Sequence, residues 1–380
     1  MALADYFRRS AVAAAQVLNG YDEDAIAECL ESARVAIAID DGTLEHAEGR
    51  HILDLSIRLL ARFYPSLTIV GSNAADPWRD LALAINPAID LDRHEPSSAI
   101  VIGTPQQGVS VAPVQLFVGS DGWHARFSAR QPQPVGTSTN PLGAGAAACF
   151  GAANLFRHVF LGDATFDEGL VLSTRTMQRR YEDDDRGVRC PGGTTVLAGA
   201  GAIGNGALWA IGRISDGGET VVIDPEPVEL GNLQRYVLAV RTDEGRPKTD
   251  VALEHLRPDV AQGIPLTWEA FTNECGHQWE RVLVAVDSAG ARHAVQASLP
   301  GWVANSWTQP GDLGVSVHPW TELGACVACM YIPAGKLPNL TRMNSWRTRS
   351  VCLASAMASR SGPCWTQAHP RQLSVGRRAG

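Results

Sequence analysis

The chain has 380 residues, long enough for two ordinary domains, and 45% of them are apolar, so sizeable cores can be buried. A formal charge of −8 excludes a broad nucleic-acid-binding surface, which needs clustered Lys and Arg to displace counterions. No stretch approaches the ~20 apolar residues that span a bilayer, and the Ala-rich N-terminal run lacks the order of a secretion signal, so a cytoplasmic protein with no membrane partner is expected.

The first region runs from residue 1 to about 188. It opens with a predicted helix, Ala2 to Leu18, and a second, Asp22 to Ala33. The apolar run Arg34 to Asp40 reads as a buried strand. Glu45 to Tyr64 has helical spacing, with Ile52, Leu55, Leu59 and Phe63 on one face. Ser66 to Ser72, Ala99 to Gly103 and Val114 to Gly119 read as further strands. Asn140 to Phe156 reads as a small-residue helix packed tightly on a sheet. Strand, helix, strand suggests an α/β unit. The turn after its first strand is Asp41-Gly42-Thr43, without a glycine triad, so any nucleotide fold here has lost its phosphate loop.

A charged, then Pro/Gly-rich stretch, Glu182 to Gly193, marks a boundary. The second region spans 194–340. Thr194 to Ala198 predicts a strand, Gly199-Ala-Gly201-Ala-Ile-Gly204 follows at once, and Asn205 to Ile214 predicts a helix. This is a GxGxxG turn in its required strand-to-helix context. Its glycines let backbone amides approach phosphate at a helix N-terminus. A second strand, Thr220 to Ile223, ends in Asp224, twenty residues beyond Gly204, where a carboxylate meets ribose hydroxyls. Up to this point NAD and ATP are equally served.

Asn232, Arg235 and Lys248 favour ATP, because an α-phosphate under attack by a carboxylate needs cations that a hydride transfer does not. Arg grips phosphate oxygens bidentately, and Lys supplies a point charge for departing pyrophosphate. Arg281 to Asp287 reads as another strand. Asp287, at its C-terminal end, is placed to hold Mg²⁺, to cap the helix Ala289 to Ser298, or to do both.

The third region, 341–380, has seven Arg, no Asp or Glu, and neither helical nor strand periodicity. Two readings stand: a disordered basic tail, or a reading frame altered near Leu340. Of eight cysteines, Cys29, Cys149, Cys190, Cys275, Cys352 and Cys364 are scattered, a poor disulfide framework that favours a reducing compartment. Cys326 and Cys329 form a CxxC pair.

The series from Gly199, Gly201 and Gly204 through Asp224, Asn232-Leu-Gln-Arg235 and Lys248 to Asp287 resembles the ThiF-like adenylating enzymes, which include ubiquitin-activating enzymes and activators of sulfur-carrier proteins. The resemblance covers Thr194 to Tyr331. It implies a doubly wound α/β, Rossmann-like ATP-binding domain that joins AMP to the C-terminal glycine of a ubiquitin-like protein and releases pyrophosphate. Asp224 would bind ribose, Asn232, Arg235 and Lys248 would engage phosphates, and Asp287 would hold Mg²⁺. Tyr236 departs from the family's usual Gln and is expected to alter a neighbouring contact only.

Family members work as paired adenylation folds, so residues 1–188 are expected to be a degenerate, inactive partner in the same chain; a homodimer is a further option. Arg8 and Arg9 are candidates, by position, for an arginine lent across the pair. The arrangement is similar to activating enzymes of bacterial ubiquitin-like conjugation systems linked to antiviral defence, which implies a conjugating enzyme as partner. Cys326 and Cys329 resemble half of the family's structural zinc site, with its second pair missing. No cysteine stands out as the thioester nucleophile; Cys275 beside His277 is a weak candidate. Three alternatives stay open: a sulfur-carrier adenylyltransferase of thiamine or molybdenum-cofactor type, an NAD-dependent oxidoreductase, and a non-catalytic nucleotide-binding scaffold.

Overall fold

The computed structural model describes residues 4–7, 11, 23–71, 76–92, 95–105, 111–163, 165, 167–180, 192–214, 218–277, 279–309, 312–320 and 324–332. Most of the helix expected over Ala2 to Leu18, most of the boundary segment and all of 341–380 lie outside them, as do Arg8, Arg9, Cys190, Cys352 and Cys364. No helix of the described residues is long and apolar enough to cross a membrane.

The first half contains α1 (Glu23–Ser32), β1 (Val35–Ala38), α2 (Asp41–Glu45), α3 (Ala47–Leu60), β2 (Leu67–Val70), α4 (Asp76–Ile85), β3 (Ser98–Ile102), β4 (Val114–Asp121), β5 (His124–Ser128), α5 (Pro141–Leu161) and β6 (Leu170–Ser173). Its sheet runs β2-β1-β3-β4-β5-β6, parallel from β2 to β4 and antiparallel thereafter. The helix expected over Glu45 to Tyr64 is α3, and the expected turn at Asp41-Gly42-Thr43 is instead a short helix of its own, α2. Asp40 accepts from the Thr43 amide at 2.6 Å and starts α2, and His46, in extended backbone, separates α2 from α3.

The second half contains β7 (Thr194–Ala198), α6 (Ala202–Ile211), β8 (Glu219–Ile223), α7 (Lys248–Leu253), β9 (Ala261–Ile264), α8 (Trp268–Cys275), β10 (Arg281–Val284), α9 (Ala289–Ala297), β11 (Trp302–Gln309), β12 (Asp312–Pro319) and α10 (Val327–Met330). Its sheet runs β12-β11-β10-β7-β8-β9, parallel except for β12. This is the doubly wound order, with its reversal between β7 and β10. The fold class is α/β, as the alternation of strands and helices predicts.

The two sheets follow the same plan. β1, β2, β3, β4 and β5 occupy the places of β7, β8, β10, β11 and β12. The place of β9 is reduced to a single parallel bridge, Ser66 with Asp90. In the first half, however, α2 follows β1 directly, where the second half has its glycine loop between β7 and α6, and it is tightly packed. A Cβ on Gly49 would stand 2.2 Å from the Thr43 carbonyl, and one on Gly103 2.7 Å from Thr43 Oγ1.

One apolar core runs through both halves, joining Leu53, Ala144 and Ala148 to Leu197, Leu208, Trp209 and Leu238. The small residues of α5 have two uses. Gly151 lets Val118 and Ile100 of the sheet close in, and Gly145 admits the Trp209 ring from α6. Sequence reasoning places α5 on its own sheet; the structure adds that it also seats the second half.

Candidate functional site

The C-terminal ends of β7, β8 and β10 open onto a cavity of about 650 Å³, where ligands bind in sheets of this kind. Its lining includes Gly199, Gly201, Asp224, Asn232, Arg235, Lys248 and Asp287, so the residues singled out from the sequence converge on one space. The eighth, Gly204, lies behind the wall. A Cβ there would stand 2.1 Å from the Gly199 carbonyl, so its lack of a side chain sets how closely α6 approaches β7.

Gly199 has φ +95°, a left-handed conformation that turns the chain from β7 toward α6. Gly201 is the N-cap of α6 and has no side chain to cap the helix, so the first-turn amides have no capping oxygen. Donors at a helix N-terminus, with the positive end of its dipole, suit a phosphate. The Asp224 carboxylate fastens this loop by accepting from the Ala200 amide at 2.8 Å and from the Glu226 amide at 3.0 Å. A carboxylate has about four acceptor sites, so capacity remains for ribose hydroxyls.

Beyond β8 the chain makes a 3-10 turn, Leu230–Asn232. Asn232 Oδ1 accepts from the Glu229 amide at 3.0 Å, which leaves the amide Nδ2 as its donor toward the cavity. Arg235 is exposed; its guanidinium touches the Gly231 carbonyl at 3.4 Å and otherwise lies over the Tyr236 ring, 5.6 Å from the centroid. Lys248, the first residue of α7, is buried. Its Nζ donates to Glu226 Oε2 at 2.5 Å, lies 3.8 Å from Asp224 and rests 5.4 Å above Tyr236. Burial opposes its charge, but Glu226, Asp224 and Tyr236 together hold the ammonium above the ordinary lysine range. Tyr236 therefore supplies an aromatic face shared by both cations.

Asp287 is exposed on the lip of the cavity and is not the cap of α9. Ser288 takes that position, its hydroxyl accepting from the Ala291 amide at 3.1 Å. Of the two readings of Asp287, the capping one is thus corrected, and the carboxylate has no protein partner among the described residues. A hard cation that binds one or two carboxylates and phosphate oxygens, such as Mg²⁺, fits that position.

Sequence reasoning missed Glu226, Trp268 and Arg292 in the lining. Glu226 had a signal, standing two residues after Asp224. Arg292 had none, because its partners, Asn305 Oδ1 at 3.0 Å and the Tyr331 ring at 4.6 Å, come from β11 and the C-terminal turn.

Cys326 and Cys329 stand outside the cavity with their sulfurs 3.5 Å apart. Burial raises the Cys326 thiol, but hydrogen bonds from Cys329 and neighbouring amides outweigh it and bring the thiol below its usual range. Among the described residues no group of three or more metal-ligating side chains occurs. Cys275 is exposed at the C-terminal end of α8, and no described cysteine lines the cavity.

Residues 193–360 match the family model described as "ThiF family", and residues 38–161 match one described as "Prokaryotic E2 family C". The chain is 42% identical over 351 residues to "Uncharacterized protein y4jF" of Sinorhizobium fredii, covering 88% of this chain and 67% of that one. It is 38% identical over 117 residues to "Ubiquitin-like modifier-activating enzyme 7" of Homo sapiens, covering 27% of this chain and 11% of that one. It is 30% identical over 148 residues to "Sulfur carrier protein ThiS adenylyltransferase" of Escherichia coli, covering 36% of this chain and 57% of that one. Of solved structures, "Crystal structure of E. coli MccB + ATP" aligns over 45% of this chain and 48% of that one, with 19% identity and a TM-score of 0.30. The chain thus spans about two thirds of the first relative and less of the others.

Proposed function

This chain belongs to the family of ThiF-like adenylating enzymes, and we propose that it uses ATP and Mg²⁺ to activate the C-terminal carboxylate of a ubiquitin-like protein. The observation that carries the reading is the single cavity lined by the Gly199–Gly201 loop, Asp224, Asn232, Arg235, Lys248 and Asp287. The loop and the α6 N-terminus take phosphate, and Asp224 takes ribose. A carboxylate oxygen of the modifier attacks the α-phosphorus. The bond from that phosphorus to the bridging oxygen breaks, an acyl–AMP anhydride forms and pyrophosphate leaves. Arg235 and Lys248 offset the negative charge on the departing phosphates, Lys248 exchanging Glu226 for them. Asp287 would hold Mg²⁺, which neutralises phosphate charge when bound.

ATP–pyrophosphate exchange tests this directly, with ubiquitin-fold proteins encoded beside the gene as acyl substrates. Exchange that depends on both ATP and one such protein is expected; its absence from every pairing would overturn the reading. The sulfur-carrier alternative shares the same first step, and the Escherichia coli relative supports it equally at that level. Which protein elicits exchange, a sulfur carrier or a modifier with a conjugating enzyme, separates the two and decides whether a defence role merits study. Neither the matched families nor these relatives support an oxidoreductase.

Residues 1–188 are proposed to be the non-catalytic partner fold, which the shared strand plan and the lack of a glycine loop after β1 support. That half matches its own family model, separate from the one that begins at residue 193. A zinc ion is proposed at Cys326 and Cys329. Their 3.5 Å sulfur separation is close to the ~3.8 Å that two 2.3 Å Zn–S bonds give at a tetrahedral angle. Elemental analysis should find one zinc per chain, lost in Cys326→Ser; metal-free wild-type protein would remove the proposal.

A further inference from the structure

The segment that carries Arg235 and Tyr236 is gripped from the other half of the molecule. Arg62 follows α3 and is 3% exposed. Its Nη1 donates to the Leu233 carbonyl at 2.6 Å, and its Nη2 donates to the carbonyls of Val237 at 3.0 Å and Ala239 at 2.6 Å. Arg58, one turn earlier, donates to the Val237 and Leu238 carbonyls at 3.1 and 3.4 Å. On the opposite side Asn205 of α6 accepts from the Leu238 amide at 3.1 Å. The loop is therefore fastened between the first half and the helix whose N-terminus faces the phosphates.

Arg62 has no carboxylate at ion-pair distance among the described residues. Burial pulls its pKa down to about 10, an expense that a Leu or Met in its place would avoid. What an apolar residue could not do is satisfy three converging carbonyls. A Lys could not do it in the same geometry, because only the planar guanidinium presents a rigid fork of donors. With its carbonyls turned into this cradle, the loop keeps the Arg235 side chain on the cavity side and Tyr236 beneath Lys248. Tyr6, from the N-terminal segment, packs on the same loop beside Leu233, Tyr236 and Ala239.

We infer that Arg62, supported by Arg58, is a positioning residue through which the first half holds Arg235, Tyr236 and Lys248 in register for the triphosphate of the nucleotide. This rests on the ATP reading above and assigns the first half a role in the site of the second.

The experiment is calorimetric binding of Mg·ATP and of adenosine to the full chain, in wild type, Arg62→Ala and Arg62→Lys. Arg62→Ala should weaken Mg·ATP about tenfold or more. It should leave adenosine unchanged, since the adenosine end is held by β7, β8 and Asp224. Arg62→Lys should not rescue, whereas added guanidinium should restore Mg·ATP binding to Arg62→Ala. Amide hydrogen exchange of 233–239 should quicken in step.

Equal weakening of both ligands, no weakening, or unchanged loop protection would each overturn the inference. Wild-type protein that binds no Mg·ATP would instead sink the ATP reading itself. Should Arg62→Ala not fold, Arg58→Gln and the wild-type exchange pattern decide. Slow exchange at Leu238 with weakened Mg·ATP in Arg58→Gln supports the grip, and fast exchange at Leu238 in the wild type refutes it.

Discussion

Asp287 and Asp224 are both carboxylates on one cavity, yet they differ in what their loss would do. Asp224 already accepts two backbone amides, so replacing it loosens the glycine loop as well as removing the proposed ribose ligand. Asp287 touches no described protein donor, so its removal leaves no broken bond behind. Asp287→Ala should therefore lower pyrophosphate exchange by about 10²–10³-fold, as expected when one electrostatic stabiliser of a transition state is lost. The melting temperature should stay at the wild-type value. A variant that melts earlier, or that keeps its exchange rate across a Mg²⁺ titration, would show that Asp287 is not the metal's carboxylate.

At the scale of elements, the β7–loop–α6 unit depends on Gly204 more than on any residue that faces the ligand. An added Cβ meets the Gly199 carbonyl at 2.1 Å, and that carbonyl belongs to the backbone of the tight turn, which has no flexible side-chain end to yield. Gly204→Ala should cost about 1–3 kcal/mol in urea denaturation, in the range of overpacking, and should abolish Mg·ATP binding by displacing the α6 amides. Normal stability with retained binding would mean that the helix can slide.

This unit was legible in the sequence because everything that defines it is local. The strand, three glycines and Asp224 follow one another at fixed intervals. Asn232, Arg235 and Lys248 were legible for the same reason, lying on one connection after β8. Elements defined by distant partners were not. β9 is Ala-Gln-Gly-Ile, which carries no strand signature and exists because β8 offers an edge. β12 likewise owes its register to β11, and its alternating Leu313, Val315 and Val317 are exposed, so the alternation does not mark the buried face. Arg62 reads as a helix-end surface cation until the fold brings the carbonyls of 233–239 around it.

Across the whole molecule, the two halves meet at a buried polar knot beside that grip. Asp54 of α3 accepts from Arg58, from Arg213 and from the Trp209 indole at 2.7 Å. His51, one turn before Asp54, stands edge-on to Trp209 with centroids 6.2 Å apart. Burial first, then the charge of Arg213, pushes its pKa down to about 4, with Arg50 adding to this and Asp54 opposing. His255 at the same junction is lowered too, by burial and then by Arg58 and Arg213, against Leu238 and Asp54. The folded chain thus disfavours the charged form of both imidazoles, while the unfolded chain protonates them below about pH 6.5. The unfolded state then binds more protons, so stability is full above that pH and declines as pH falls, for His51 by up to about 1.4 kcal/mol per pH unit toward pH 4, with His255 adding in the same direction. Glu48 acts in the opposite sense. Burial raises its pKa against the hydrogen bonds of Ser120, Gly122 and Ser138, so the folded state takes up its proton first as the solution is acidified. The informative quantity is therefore the difference between wild type and His51→Phe, which keeps the aromatic edge against Trp209. Urea midpoints measured between pH 7 and pH 5 should fall more steeply for the wild type, with the two proteins diverging as pH drops. Parallel slopes would mean that His51 is protonated in the fold and that the junction between the halves tolerates a third cation beside Arg58 and Arg213.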